Sequence, residues 1–85
     1  MDLKKARAIA EAYIVENMHP AEQDSYVIVD AGIIVDRLGW YFPYQSRIFL
    51  ETGNIDFALV GNWPIYVDCV GNCTGGAIPP LTPND

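Results

Sequence analysis

The chain has little basic charge. Of its 85 residues, 5 are lysine or arginine and 11 are aspartate or glutamate, which gives a net charge of −6. Nucleic acids and anionic membranes bind proteins through phosphate groups that lysine and arginine neutralise. The charge balance therefore argues against DNA, RNA or an anionic membrane as the partner.

Cysteine and histidine are scarce: Cys69, Cys73 and His19 are the only ones. Two cysteines are too few for the disulfide framework of small secreted domains, and with one distant histidine they fall short of a four-ligand zinc site. A dyad of His19 with either cysteine is the catalytic alternative to a solvated histidine in a turn. No glycine-rich phosphate loop is present. We therefore expect no metal, no cofactor and no enzymatic activity.

Long apolar segments are also missing. The most apolar region, 26–44, is interrupted by Asp30, Asp36 and Arg37, so it does not reach the roughly 18 continuous apolar residues that a membrane helix needs. The first 16 residues carry charges of both signs, where a secretory signal needs a continuous apolar segment. We therefore expect the protein in the cytoplasm.

The remaining composition is that of a folded protein, with 51% apolar and 19% charged residues. A chain of this length forms a single domain, residues 1–85, with a small core and low stability. Apolar residues at helical spacing predict a helix over 3–18, with Asp2 as its N-cap and Pro20 ending it. Basic residues in its first turns oppose the helix dipole, so this helix requires a sheet to pack on.

The rest of the chain favours strands. Residues 26–36 are rich in β-branched side chains and predict one long strand, bulged at Gly32. The aromatic segment 40–46 predicts a second strand, in which Pro43 lies at an edge or a bulge. Residues 47–62 are less regular, with a short helix around 55–60. Further strands are predicted at 64–69 and 73–78, followed by a proline-rich tail, 79–85.

Together these elements predict an α+β fold, with the N-terminal helix packed on an antiparallel sheet of about four strands within 26–78. The last two strands would form a hairpin with a loop at 70–72, which places Cys69 opposite Cys73. Opposed residues have Cβ atoms about 4.5–5.5 Å apart, close to what a disulfide requires. The pattern leaves open a disulfide in an oxidising setting and two reduced, unreactive thiols.

Two carboxylate pairs are the acid–base candidates, Glu51 with Asp56 and Asp30 with Asp36. Their spacing is not specific to catalysis, and it also suits loop solvation or helix capping. The aromatic residues favour core and sheet packing, although one or two exposed ones could anchor a protein interface.

Several short segments follow one another in a distinctive order. A Gly-Trp-aromatic strand is followed by a Thr-Gly turn, by a Gly-Asn-x-Pro step into a Val-Asp strand, and by a final Thr-Gly. In order and spacing these segments resemble the immunity protein 35 family, and the helix and first strand fit it too. The segments lie at 39–42, 44–46, 50–54, 58–68 and 74–75.

The resemblance implies a protein without enzymatic activity, encoded beside an antibacterial toxin, that binds its cognate toxin and neutralises it by steric occlusion. An acidic surface would steer such a protein onto a basic toxin. A small chaperone-like or scaffold protein that binds unfolded or partner chains is the alternative. From charge and aromatic character, and not from the family pattern, we expect partner contacts at Asp30, Asp36, Tyr44, Glu51, Asp56, Trp63 and Asp68.

Overall fold

The computed structural model describes residues 1–79, in which one long helix packs against antiparallel strands. The predicted α+β class is confirmed. Apart from Pro79, the predicted proline-rich tail lies outside the described residues. In chain order the elements are α1 (Leu3–Asn17), β1 (Tyr26–Ile28), a 3₁₀ helix (Asp30–Gly32), β2 (Ile34–Asp36), β3 (Gly39–Phe42), β4 (Tyr44–Ser46), α2 (Arg47–Thr52), a second 3₁₀ helix (Ile55–Phe57), β5 (Ile65–Asp68) and β6 (Cys73–Thr74).

Helix α1 begins and ends within one residue of the prediction. The Asp2 carboxylate accepts a hydrogen bond from the Lys5 amide at 2.9 Å, which satisfies one of the free amides of the first turn. The buried face of the helix consists of Ala6, Ala10 and Ile14, spaced four residues apart. The two alanines let the helix backbone lie close to the sheet.

The sheet beneath α1 has four antiparallel strands in the order β2-β3-β5-β6. Its helix-facing side chains include Phe42, Ile65 and Val67, all fully buried. In the register, Phe42 lies opposite Ile65 and Trp40 lies opposite Val67. These pairs and the buried face of α1 form the hydrophobic core.

The predicted long strand over 26–36 is wrong, because the chain forms two strands there in different sheets. β1 pairs with β4 in a two-stranded sheet, and β2 pairs with β3 in the larger one. The predicted strand over 40–46 divides in the same way at Pro43. The two breaks contact each other: a Cβ atom on Gly32 would lie 2.9 Å from the Pro43 ring, and the Val29 amide donates to the Pro43 carbonyl at 2.9 Å. A larger residue than glycine would separate these two corners.

Helix α2 is absent from the prediction, which treated residues 47–62 as irregular. The Ser46 hydroxyl accepts from the Phe49 amide at 3.1 Å, and Gly53 ends the helix with φ of 73°. That left-handed geometry favours glycine. The second 3₁₀ helix, Ile55–Phe57, occupies part of the short helix predicted around 55–60.

The hairpin between β5 and β6 corrects the predicted pairing of the cysteines. Cys73 lies opposite Val67, so Cys69 belongs to the turn and both thiols are free. The cause is Asp68, whose carboxylate accepts from the amides of Val70 and Asn72 at 3.0 and 2.9 Å. These bonds close the turn one residue earlier than the strand pattern predicts.

Candidate functional site

The four-stranded sheet has a second face, on the side opposite α1. Side chains alternate between the faces of a strand, so the neighbours of the buried core residues point to this side. We call it the outer face. Two rows of paired residues cross it: Ile34, Tyr41, Tyr66 and Thr74 form the first row, and Asp36, Gly39 and Asp68 form the second.

An aromatic pair lies at the centre of the outer face. The rings of Tyr41 and Tyr66 have centroids 4.7 Å apart and are tilted by 44°. The Tyr66 hydroxyl extends over Gly39, where an added Cβ atom would lie 2.8 Å from it and would also collide with the Val67 carbonyl. Position 39 therefore requires glycine, and the Tyr66 ring fills the space that the missing side chain leaves.

Two carboxylates flank this hydroxyl. Asp36 and Asp68 are the register partners on either side of Gly39, so their backbones lie two strand spacings apart, about 10 Å. Desolvation, followed by the negative charges of Asp36 and Asp68, raises the pKa of Tyr66. Hydrogen bonds led by the one from the Asn72 amide lower the pKa of Asp68, which keeps that carboxylate charged.

The outer face ends in an apolar groove at the two hairpin turns. The Cys69 amide donates to the Leu38 carbonyl at 2.9 Å and so joins the turns. Leu38 and Val70 leave 67% and 81% of their surface exposed. The groove measures about 390 Å³ and is lined by Leu38, Tyr66, Asp68, Cys69 and Val70. Aromatic, apolar and acidic groups thus meet on one continuous surface.

A second exposed surface lies on residues 47–63, which we call the 47–63 segment. Polar side chains of β4 and this segment hold it in place: the Gln45 amide group bonds both the amide and the carbonyl of Leu59, and the Asn62 side chain donates to the Tyr44 carbonyl. Its exposed apolar side chains are Leu50, Ile55, Val60 and Trp63.

The seven predicted partner residues divide among different places. Asp36 and Asp68 come together on the outer face. Glu51, Asp56 and Trp63 belong to the 47–63 segment, where Glu51 forms an ion pair with Arg47 at 2.8 Å. The structure therefore does not bring the predicted residues into one patch.

The two remaining predicted residues contact other parts of the chain. Asp30 accepts two hydrogen bonds from the Arg7 guanidinium, at 2.7 and 3.0 Å, and this ion pair lowers the pKa of Asp30. Tyr44 is half-buried, with its ring centroid 6.2 Å from that of Tyr26. Burial raises the pKa of Tyr44.

The outer-face pair of Tyr41 and Tyr66 was not predicted, because the aromatic residues were assigned together to core and sheet packing. The signal that distinguishes them is the alternation along Ile65–Asp68. Ile65 and Val67 are buried, whereas the alternate residues, Tyr66 and Asp68, are partly exposed. A tyrosine that shares its face with a carboxylate indicates a surface position.

The described residues offer little for catalysis. Among residues 1–79 no three histidine, cysteine or acidic side chains are grouped to hold a metal ion. His19 is exposed beyond the end of α1, and burial raises the pKa of the Cys73 thiol. A nucleophilic cysteine requires a lowered pKa, so Cys73 is not activated.

The comparison with protein families shows to which family the chain belongs. The family model described as Immunity protein 35 matches residues 4–83. The chain belongs to the immunity protein 35 family. A relative, the uncharacterized protein YrhB of Escherichia coli (strain K12), is 50% identical over 30 residues, which cover 35% of this chain and 32% of that protein. The chain thus aligns with about a third of that relative's length. No solved structure matches the chain.

Membership of the immunity protein 35 family confirms the predicted resemblance. The family is described as one of immunity proteins. Within residues 1–79, none of the helices combines the length and the hydropathy of a transmembrane span.

Proposed function

We propose that this protein binds a cognate antibacterial toxin in the cytoplasm and neutralises it by steric occlusion, without chemistry of its own. The observation that carries this proposal is the match of residues 4–83 to the immunity protein 35 family. An inhibitor that covers a working surface needs exposed, rigid contact groups and no nucleophile. Burial raises the pKa of the Cys73 thiol, and residues 1–79 hold no grouped metal-ligand set; both observations are compatible with that role.

The acidic charge supports association with a basic toxin. A net charge of −6 raises the encounter rate with a positively charged partner through long-range attraction, which salt screens. In this proposal the predicted acidic residues contribute in two ways. Asp30 and Glu51, which form ion pairs with arginines, add mainly to the long-range field, and Asp36 and Asp68 lie together on the outer face.

The exposed aromatic side chains support a specific interface. Trp63 is 50% exposed on a segment that hydrogen bonds hold in place, and large aromatic groups provide much of the binding energy in protein interfaces. Tyr44, which is half-buried against Tyr26, would contribute by supporting that segment through its carbonyl bond to Asn62.

The test is co-expression with the toxin gene adjacent to the gene of this protein. We expect the wild-type chain to restore growth of bacteria that produce the toxin, and the purified proteins to form one stoichiometric complex that high salt weakens. The toxin should be recovered at its original mass, since occlusion modifies nothing. Failure to restore growth would contradict the proposal, and binding of many weak clients in its place would favour the chaperone-like alternative.

A further inference from the structure

The outer face combines features that suit one kind of side chain. It presents the tilted pair of Tyr41 and Tyr66, and carboxylates lie on both sides of the Tyr66 hydroxyl. We propose that the outer face is the toxin-binding surface and that it receives a lysine or arginine side chain of the toxin, packed on the tyrosine rings between Asp36 and Asp68. This inference rests on the proposed function and specifies the face and the chemistry of contact.

The aromatic pair supplies the first part of the recognition. The faces of aromatic rings carry partial negative charge, so a cation within about 6 Å of a ring centroid is attracted to them. With centroids 4.7 Å apart, Tyr41 and Tyr66 bring two rings within reach of one cationic group. Neither ring is among the residues of the core cluster, and both are partly exposed.

The carboxylates supply the second part. A cation above the Tyr66 hydroxyl lies between Asp36 and Asp68, which flank it in the register. The Asp68 carboxylate is fixed by bonds from Val70 and Asn72, so it loses little conformational freedom when a partner binds. The Tyr66 hydroxyl lies close over Gly39, where an added Cβ atom would be 2.8 Å from it. The surface is organised before the partner arrives.

Charge complementarity identifies the occupant. A second copy of this chain also carries −6, which disfavours self-association through an acidic surface. Residues 80–85 contain no lysine or arginine, so they cannot provide the cation. A basic surface of the toxin provides it, and Leu38 and Val70 at the end of the face offer adjacent apolar contact.

The 47–63 segment is the competing surface. It carries two carboxylates, Glu51 and Asp56, and Glu51 forms an ion pair with Arg47 of the same helix. Its exposed aromatic residue, Trp63, has no ring partner among the aromatic contacts of residues 1–79. It therefore offers apolar contact without the paired rings and flanking carboxylates of the outer face.

The test measures affinity for a purified, catalytically inactive form of the toxin encoded by the adjacent gene. Tyr41→Leu should raise Kd about tenfold by removing one ring, whereas Tyr41→Phe keeps the ring and should stay within about threefold of wild type. Asp36→Lys should raise Kd at least about tenfold and flatten its dependence on salt. Thermal unfolding confirms that each variant is folded.

A matched control carries the same charge change away from both candidate surfaces. Glu22→Lys, at an exposed position after α1, changes the net charge equally and should change Kd by less than about threefold. Loss of affinity in Asp56→Lys and Trp63→Leu, with none in the outer-face variants, would overturn the inference and leave the proposed function standing. Lack of binding by the wild-type chain would instead reject the proposed function and the inference with it.

Discussion

The helix–sheet core and the peripheral region that carries the 47–63 segment are held together by different forces. In the core, the buried face of α1 packs on Phe42, Ile65 and Val67, so apolar contact dominates. The peripheral region comprises 21–28 and 44–63, where bonds between polar side chains and the backbone fix the chain. Within these two ranges, Ile28 is the one buried apolar residue. The difference shows how a small domain can order more chain than its core covers.

Asp24 illustrates the second kind of stabilisation. Its carboxylate accepts from the Ser25 and Ile48 amides at 2.8 and 3.0 Å, and from the hydroxyl of the fully buried Ser46 at 2.5 Å. Ser46 in turn caps α2 through the Phe49 amide. One carboxylate thus ties the linker after α1 to the start of α2.

Arg47 connects the same two segments from the other side. Its guanidinium donates to the Gln23 carbonyl at 2.9 Å, to the Ser25 hydroxyl at 3.2 Å and to Glu51 at 2.8 Å. Each bond alone contributes about 1 kcal/mol or less at an exposed site, so the peripheral region depends on several of them acting together.

The largest effect that separates the regions is expected from the two tryptophans. Trp40→Ala removes a side chain packed against the core and should lower the free energy of unfolding by about 3 kcal/mol, enough to unfold much of a small domain. Trp63→Ala removes a half-exposed side chain and should cost less than about 1 kcal/mol. Urea unfolding measures both, and an unchanged midpoint for Trp40→Ala would contradict its assignment to the core.

The elements of the core could be predicted from the sequence, because the patterns that indicate them involve residues close together in the chain. The helical spacing of Ala6, Ala10 and Ile14 predicted α1, and the strand-favouring residues of 64–69 predicted β5. The peripheral region could not be predicted in this way, since the bonds that fix it join residues 14 to 24 positions apart, as Gln45 joins Leu59 and Asp24 joins Ile48. The division of the long strand was missed for a related reason: it depends on the contact of Gly32 with Pro43, which no local pattern encodes.

The candidate site was partly readable. Asp36 and Asp68 were selected for their charge, and register places them on the same face. The aromatic pair between them was not selected, because composition does not tell which face of a strand a tyrosine occupies. The face follows only from the neighbours, Trp40 and Phe42, being on the core side.

Gln45 provides the next test of the peripheral region. Its side chain accepts from the Leu59 amide at 2.7 Å and donates to the Leu59 carbonyl at 3.1 Å, so Gln45→Ala leaves both groups without this partner. We expect a loss of about 1–2 kcal/mol in the free energy of unfolding. Gln23→Ala is the control, since Gln23 accepts from Arg47 through its backbone carbonyl. Equal stability of the two variants would show that the loop does not need Gln45.

Acid should destabilise both regions through different carboxylates. Hydrogen bonds and the Arg47 charge outweigh desolvation and lower the pKa of Asp24, and hydrogen bonds led by the Asn72 amide lower that of Asp68. A lowered folded-state pKa gives stability that is present above the unfolded value of 3.8 and is lost as pH falls through the folded value. Thermal melts from pH 6 down to about 2 should therefore show falling stability below about pH 4.

The asparagine variants separate the two contributions to the acid response. Asp24→Asn and Asp68→Asn should each be less stable than wild type at pH 6 and should lose less on acidification, because one of the carboxylates is gone. Asp56→Asn is the control. If either variant had the same acid response as wild type, the carboxylate concerned would not contribute to stability through its charge.

The smallest difference is expected between the two cysteines, and it is best measured by reactivity. Cys69 is exposed in the turn, whereas Cys73 packs against the core and its burial raises the thiol pKa. Since the thiolate is the reactive form, Cys69 should react with a thiol reagent at neutral pH at least about tenfold faster than Cys73. Single variants assign the two rates: Cys69→Ala should remove the fast phase and change stability by less than about 0.5 kcal/mol, and Cys73→Ala should remove the slow phase. Equal rates would mean that β6 protects the Cys73 thiol no better than the turn protects Cys69. Packing of Cys73 against the core would then be contradicted.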